Sequence, residues 1–409
     1  MAQQYSSKDF FRRMPNVLLA RYFQGQGLFA ELDFGAMKET QPEALIAAWA
    51  DLPDERRAAL EAELRAVHDL GNKKGLLAIQ DAARTVLDCD PDALVSLLSK
   101  LAALDDHASQ AMTAFLDHRE LWLWAERFHH ADRLAHWKKR KNLPQVLPAA
   151  DADSLTHLAT LMKDHFTKAE GRGRNCVVEH YRRGDKDYFF AFPEDHAARA
   201  VEWVNGAFDA RPHNPAFEIV FVYCRAYGTL DLFCRGANKA VVPLQEMFAR
   251  AILKCDDLSP DPKDQKVYNL NPLMKPGFEF VHAPGGGISS VAVKRLRLSS
   301  KLRAGDRVTL EANPEGNPQA IYELLEQVRK ALPLHQYHVT QVELSASVWA
   351  GMGRPPKKVS FTVTHPNSCS LRHDALDDTL RDMLVASGIE PKVPSDLPPA
   401  TPVLPEPDF

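Results

Sequence analysis

Gln341-Val-Glu-Leu-Ser-Ala-Ser-Val348 and, after a short gap, Val359-Ser-Phe-Thr-Val-Thr364 decide how the second half of this chain folds. Val342, Leu344, Ala346 and Val348 alternate with Gln341, Glu343, Ser345 and Ser347, and Val359, Phe361 and Val363 alternate with Ser360, Thr362 and Thr364. Side chains on a strand alternate between faces, so each segment presents one apolar and one small, polar face. That is the pattern of an antiparallel sheet with helices on one side only. A doubly wound nucleotide-binding fold is disfavoured, because its parallel strands are apolar on both faces.

Working outward, strands near 278–282, 288–299 and 306–312 precede a helix at 317–331, and the 338–364 hairpin precedes another at 374–387. An earlier stretch has a similar rhythm. Strands at 176–182 and 187–192 lead to a helix at 195–208, and strands at 216–224 and 229–235 lead to a helix at 241–255. Before Gly171 the spacing is helical apart from the two-proline linker at 142–153. Ser6-x-x-Asp9 and Thr40-Gln-Pro-Glu43 are helix starts, and Gly71 and Gly75 divide the Ala/Leu/Glu-rich stretch from Pro53 to Leu87. The expected class is therefore α+β: an N-terminal all-helical bundle or array, then antiparallel sheet with a repeated ββα-ββα pattern. The expected domains are a helical 1–141, a linker, helix and basic hinge over 142–174, a first ββα-ββα unit at 175–256, a connector at 257–276, a second unit at 277–390, and a disordered Pro-rich tail at 391–409.

Composition narrows the function classes. The chain has 409 residues, 45% hydrophobic and 25% charged, with a formal net charge of −4. That is the profile of a globular protein, and any polyanion must be met by local basic patches, since no global field supplies attraction. The apolar run Phe217–Cys224 is interrupted by Glu218 and is too short for a membrane span, and the amino terminus lacks the apolar core of a signal peptide. Six scattered cysteines without a CxxC pair suit reduced thiols, so a cytoplasmic location is expected. No phosphate-cradling glycine motif appears; Gly285–Gly287 read as a hairpin turn and Gly236-Ala-Asn-Lys239 is a weak anion contact at best. No cofactor is expected.

Two basic stretches stand out. Lys294, Arg295, Arg297, Lys301, Arg303 and Arg307 are opposed only by Asp306. With Leu296 and Leu298 turned inward, Arg295 and Arg297 face outward together and can meet successive phosphates. A solvated sheet edge kept charged against aggregation is the commoner role for such residues. Lys138, Lys139, Arg140 and Lys141 follow Trp137 at the end of an expected helix, where cations complement the helix dipole and Trp137 offers a stacking surface. Arg172, Arg174, Arg182 and Arg183 form a weaker third cluster.

Two constellations invite chemistry. Glu126, His129 and His136 have helical spacing for metal ligation, yet a di-metal site needs a second such motif and more carboxylates. An amphipathic surface helix accounts for them more simply. His365, Cys369 and His373 are spaced by four in a strand-to-helix loop, so Cys369 with His365 could form a nucleophile pair, or the three a metal site lacking a fourth ligand. Ordinary turn and capping chemistry at Asn367 and Ser368 competes with both.

The leading expectation is a non-enzymatic interaction or regulatory protein that meets a protein partner or nucleic acid. A hydrolase-like enzyme at the 365–373 loop and an oligomerisation scaffold are the alternatives.

Overall fold

The computed structural model describes residues 5–204, 206–236, 238–256, 258, 265–283, 287–349 and 356–391. The expected tail beyond 391, most of the 285–287 turn, Ala237 and part of the 257–276 connector lie outside the described residues. The fold is mixed α+β with antiparallel strands, as the alternating segments require. Among the described residues no helix is long and apolar enough to cross a membrane.

Along the chain come α1 (Ser7–Arg13), α2 (Asn16–Gly25), α3 (Glu43–Ala50), α4 (Asp54–Leu70), α5 (Lys73–Val86), α6 (Pro91–Ala102), α7 (His107–Asp117) and α8 (Arg119–Ala131). Side-chain caps start several of them: Ser6 accepts from Asp9 N, Asn72 from Lys74 N and Gly75 N, and Asp90 from Ala93 N. Gly75 is required for α5 to approach α4, since a Cβ there would sit 2.2 Å from the Leu70 carbonyl oxygen.

The strand β1 (Trp137–Arg140) follows, where the end of a helix was expected. The helix α8 has already ended at Ala131, His136 adopts a left-handed φ of 66°, and Trp137 and Lys138 pair with Cys369 and Ser368. Next come α9 (Ala152–Glu170), β2 (Cys176–Arg183), β3 (Lys186–Pro193), β4 (Ala198–Val204), β5 (Ala207–His213), β6 (Ile219–Cys224), β7 (Thr229–Cys234) and α10 (Val241–Ile252). The helix expected at 195–208 is thus a hairpin instead. Its Ala, Arg and Glu favour a helix, but Asn205-Gly206 is a strong hairpin dipeptide, and Gly206 takes φ 76°. The remaining elements are β8 (Ile288–Ser300), β9 (Arg307–Glu311), α11 (Ala320–Arg329), β10 (Tyr337–Val348), β11 (Lys357–Thr364), β12 (Ser368–Cys369) and α12 (Ala375–Ala386). No strand forms at 278–282; Phe278 and Phe280 lie partly buried against the core without ladder pairing.

The chain divides into two compact units. The first holds the described residues of 1–134, 144–226 and 230–258, and the second those of 135–143, 227–229 and 259–409. Within the first, β2, β3, β6 and β7 are neighbours in that order, and every residue of β6 is buried. Phe189, Phe221 and Tyr223 pack on Phe248 of α10, while on the other face Tyr188 meets Phe128 of α8 and Tyr181 meets Trp124. This sheet is covered on both sides. Beneath it, the Arg183 guanidinium grips buried Asp132 at 2.6 and 3.1 Å and reaches Asp81 at 2.9 Å.

In the second unit the strand order is β1-β12-β11-β10-β8-β9. Leu296, Leu298, Val342, Leu344, Phe361 and Val363 form one apolar face, in a core shared with Ile321 and Leu325 of α11 and Leu380, Met383 and Leu384 of α12. The opposite face is polar.

Candidate functional site

The polar face of the second unit is built row by row from strand register. One row sets Glu311 opposite Arg295 opposite Glu343; the next sets Thr309 opposite Arg297 opposite Gln341, with Thr364 beyond; the last sets Arg307 opposite Ser299 opposite His338. Two irregularities sharpen the arrangement. A bulge between Glu343 and Leu344 leaves Lys294 as the extra residue, turning Lys294 and Arg295 to the same side. A second bulge between Val339 and Gln341 does the same for Thr340, whose hydroxyl meets Ser299 Oγ at 3.0 Å and donates to the Arg297 carbonyl at 3.2 Å.

The basic stretch splits into two parts. Lys294 Nζ lies 2.8 Å from Glu343, while Arg295 pairs with Glu311 at 2.9 Å and with Glu343 at 3.0 Å. These two cations are neutralised. Arg297, Lys301, Arg303 and Arg307 form no ion pair among the described residues, and Arg297 Nε is buried without a hydrogen bond. Lys301 Nζ donates to the His335 carbonyl at 2.8 Å, which fixes the ammonium without cancelling its charge.

His338 and His365 complete this end, their ring centroids 6.4 Å apart. His365 Nδ1 lies 3.1 Å from the Tyr268 carbonyl oxygen. Burial, then the neighbouring His365 and Lys301, holds the His338 imidazole below its ordinary range. Three guanidinium groups, one lysine, two imidazoles and the hydroxyls of Ser299, Thr340 and Thr364 therefore share one end of the sheet. Such a set binds oxyanions: guanidinium and ammonium groups supply charge, and hydroxyls supply additional donors.

The other residues singled out from sequence fall elsewhere. Lys139 is buried on β1 and its Nζ meets Glu390 at 2.8 Å; Arg140 is buried too, leaving Lys138 and Lys141 partly exposed. Of the third cluster, Arg172 pairs with Glu170 and Asp195, and Arg183 with Asp132 and Asp81. The Cys369 thiol is buried, which raises its pKa, and it accepts a hydrogen bond from Leu371 N at 3.5 Å. His365 makes no hydrogen bond to it, so the structure does not assemble these two as a nucleophile–base pair. His373 is buried edge-on to Trp137 at 4.5 Å.

Glu126 accepts from Trp122 Nε1 at 3.1 Å, and burial raises its pKa. Burial and nearby Arg133 hold His129 down at about 4, and His136 belongs to the second unit. Among the described residues, no group of three His, Cys, Asp or Glu side chains is placed to hold a metal ion. Sequence reasoning missed His338 and Thr340, because their relation to Arg297 depends on register and on a bulge. Comparison with known proteins assigns no family: no protein-family model matches the chain, and a search of curated proteins returns no match.

Proposed function

We propose that this is a cytoplasmic, non-enzymatic interaction protein that contacts nucleic acid through the cationic end of its second sheet. The observation that carries the reading is the division within the basic stretch 294–307: acids pair with Lys294 and Arg295 on β8, whereas Arg297, Lys301, Arg303 and Arg307 form no ion pair among the described residues. Cations held on a sheet face and its adjoining hairpin suit a row of backbone phosphates. No Phe, Trp or Tyr belongs to the three cross-strand rows of that face, which favours the phosphate backbone over stacked single-stranded bases.

The test is fluorescence anisotropy with labelled duplex DNA and RNA across a salt series. Four phosphate contacts give a log–log slope of about −3.6 and a loss of about 10²-fold in affinity between about 50 and 200 mM salt. A variant with Arg297, Lys301, Arg303 and Arg307 all changed to Ala is expected to flatten that slope. Equal binding by parent and variant, or no binding at low salt, overturns the reading.

A further inference from the structure

The hairpin of β4 and β5 forms a two-stranded ribbon of its own. Among the described residues its strands pair only with each other, in register from Ala198↔His213 to Val204↔Ala207. It is also amphipathic. Val201, Trp203, Phe208 and Ala210 share one face, with Val201, Trp203 and Phe208 exposed at 64, 73 and 64% and the two aromatic rings 5.8 Å apart. Glu202, Asp209 and Arg211 lie on the other, where Arg211 Nε donates to Glu202 at 2.6 Å. A two-stranded ribbon is marginal in water, and stability comes with three or more strands sharing an apolar face.

We propose that the β4 edge pairs antiparallel with the β4 edge of a second copy of this chain, joining two ribbons into one four-stranded sheet. Three features select that occupant. The charges of the ribbon cancel, Arg199 and Arg211 against Glu202 and Asp209, so a copy meets no net repulsion and a polyanion finds no net attraction. An antiparallel two-fold centred on Val201 sets Val201 opposite itself, Arg199 opposite Trp203 of the copy, and Glu202 opposite Ala200 of the copy. No like charges face each other. Finally, Pro212 lies on β5 and none lies on β4, so one edge is guarded and the other open, and assembly stops at two.

Size sets the strength. Of the exposed apolar side chains only Val201 and Trp203 lie on the pairing strand, so the pair buries well below the ~1,200 Å² of a stable interface. The dimer is therefore weak and reversible. This inference is independent of nucleic-acid binding, which uses other residues in the other unit.

Sedimentation velocity on the full chain up to about 100 µM tests it, a range suited to affinities weaker than micromolar. A concentration-dependent dimer is expected for the parent. Val201→Lys, a charge at the pairing edge, is expected to weaken it at least about tenfold. Because that change could disturb the ribbon itself, Val201→Cys gives a second readout: mild oxidation should trap a covalent dimer in excess of the parent, and Asp209→Cys should not. A parent that stays monomeric, a dimer indifferent to Val201→Lys, or a Val201→Cys chain that cross-links no better than the parent overturns the proposal. So does a monomer that instead floats with phosphatidylserine–phosphatidylcholine vesicles, which would make the ribbon a lipid-facing element.

Discussion

The strands of the two units differ in how many of their faces are covered. Along β6 every side chain is buried, because α8 packs over one face of the first sheet and α10 over the other. Along β10 burial alternates, because α11 and α12 join the core on one face while the other carries the polar rows. A doubly covered sheet stabilises its unit but has no broad face left to meet a partner. The singly covered sheet keeps a face whose composition is decided by chemistry other than packing.

The contrast breaks first on stability. Phe189 and Phe190 are consecutive, fully buried and on opposite faces of β3. Replacing either with Ala is expected to cost about 3–5 kcal/mol in urea unfolding followed by tryptophan fluorescence. In β10 the neighbours should part company: Leu344→Ala costs about 2–5 kcal/mol, whereas Ser345→Ala stays within about 0.5 kcal/mol. Near-equal losses at 344 and 345 would mean that the polar face is as closely packed as the apolar one.

Binding sharpens the comparison within the second sheet. Arg297→Ala with Arg307→Ala is expected to remove two phosphate contacts and lower the salt slope by about 1.8, while Lys294→Ala with Arg295→Ala should leave it nearly unchanged. The reverse ranking would show that Glu311 and Glu343 release their cations to the ligand.

The smallest effect concerns His338. Its folded pKa lies below the ordinary value, so between those two values the unfolded chain binds more protons. Stability should therefore fall as pH drops from the ordinary histidine value of about 6.5 toward the lowered one, and His338→Gln should reduce that slope in thermal melts. A bound polyanion acts in the opposite sense, favouring the charged imidazole and tightening as pH falls. A parent and variant with the same pH slope would remove His338 from both accounts.

Much of the second unit was legible because alternation is a local signal. β8, β10 and β11 lie where period-two patterning places them, and α11 and α12 follow in order. The hairpin of β4 and β5 was misread since helix-forming residues surround its turn dipeptide. β1 was misread since four residues carry no period. The charge state of the basic stretch was illegible for a different reason. Arg295 finds Glu311 16 residues away, and Lys294 finds Glu343 49 residues away, through a register that no spacing rule encodes. Likewise, nothing local marks Lys139 as buried against Glu390, 251 residues distant.

That distance has a consequence for how the chain is made. Trp137 and Lys138 have their strand partners at Cys369 and Ser368, so β1 leaves the ribosome long before β12 exists. At roughly 5–20 residues per second, the interval is on the order of 10–50 s. Throughout it, the residues of the first unit, 1–134, 144–226 and 230–258, are already made, while β1 waits for its partner strand. Neither unit is one uninterrupted stretch of chain, so a truncation between them would leave the later unit without its first strand.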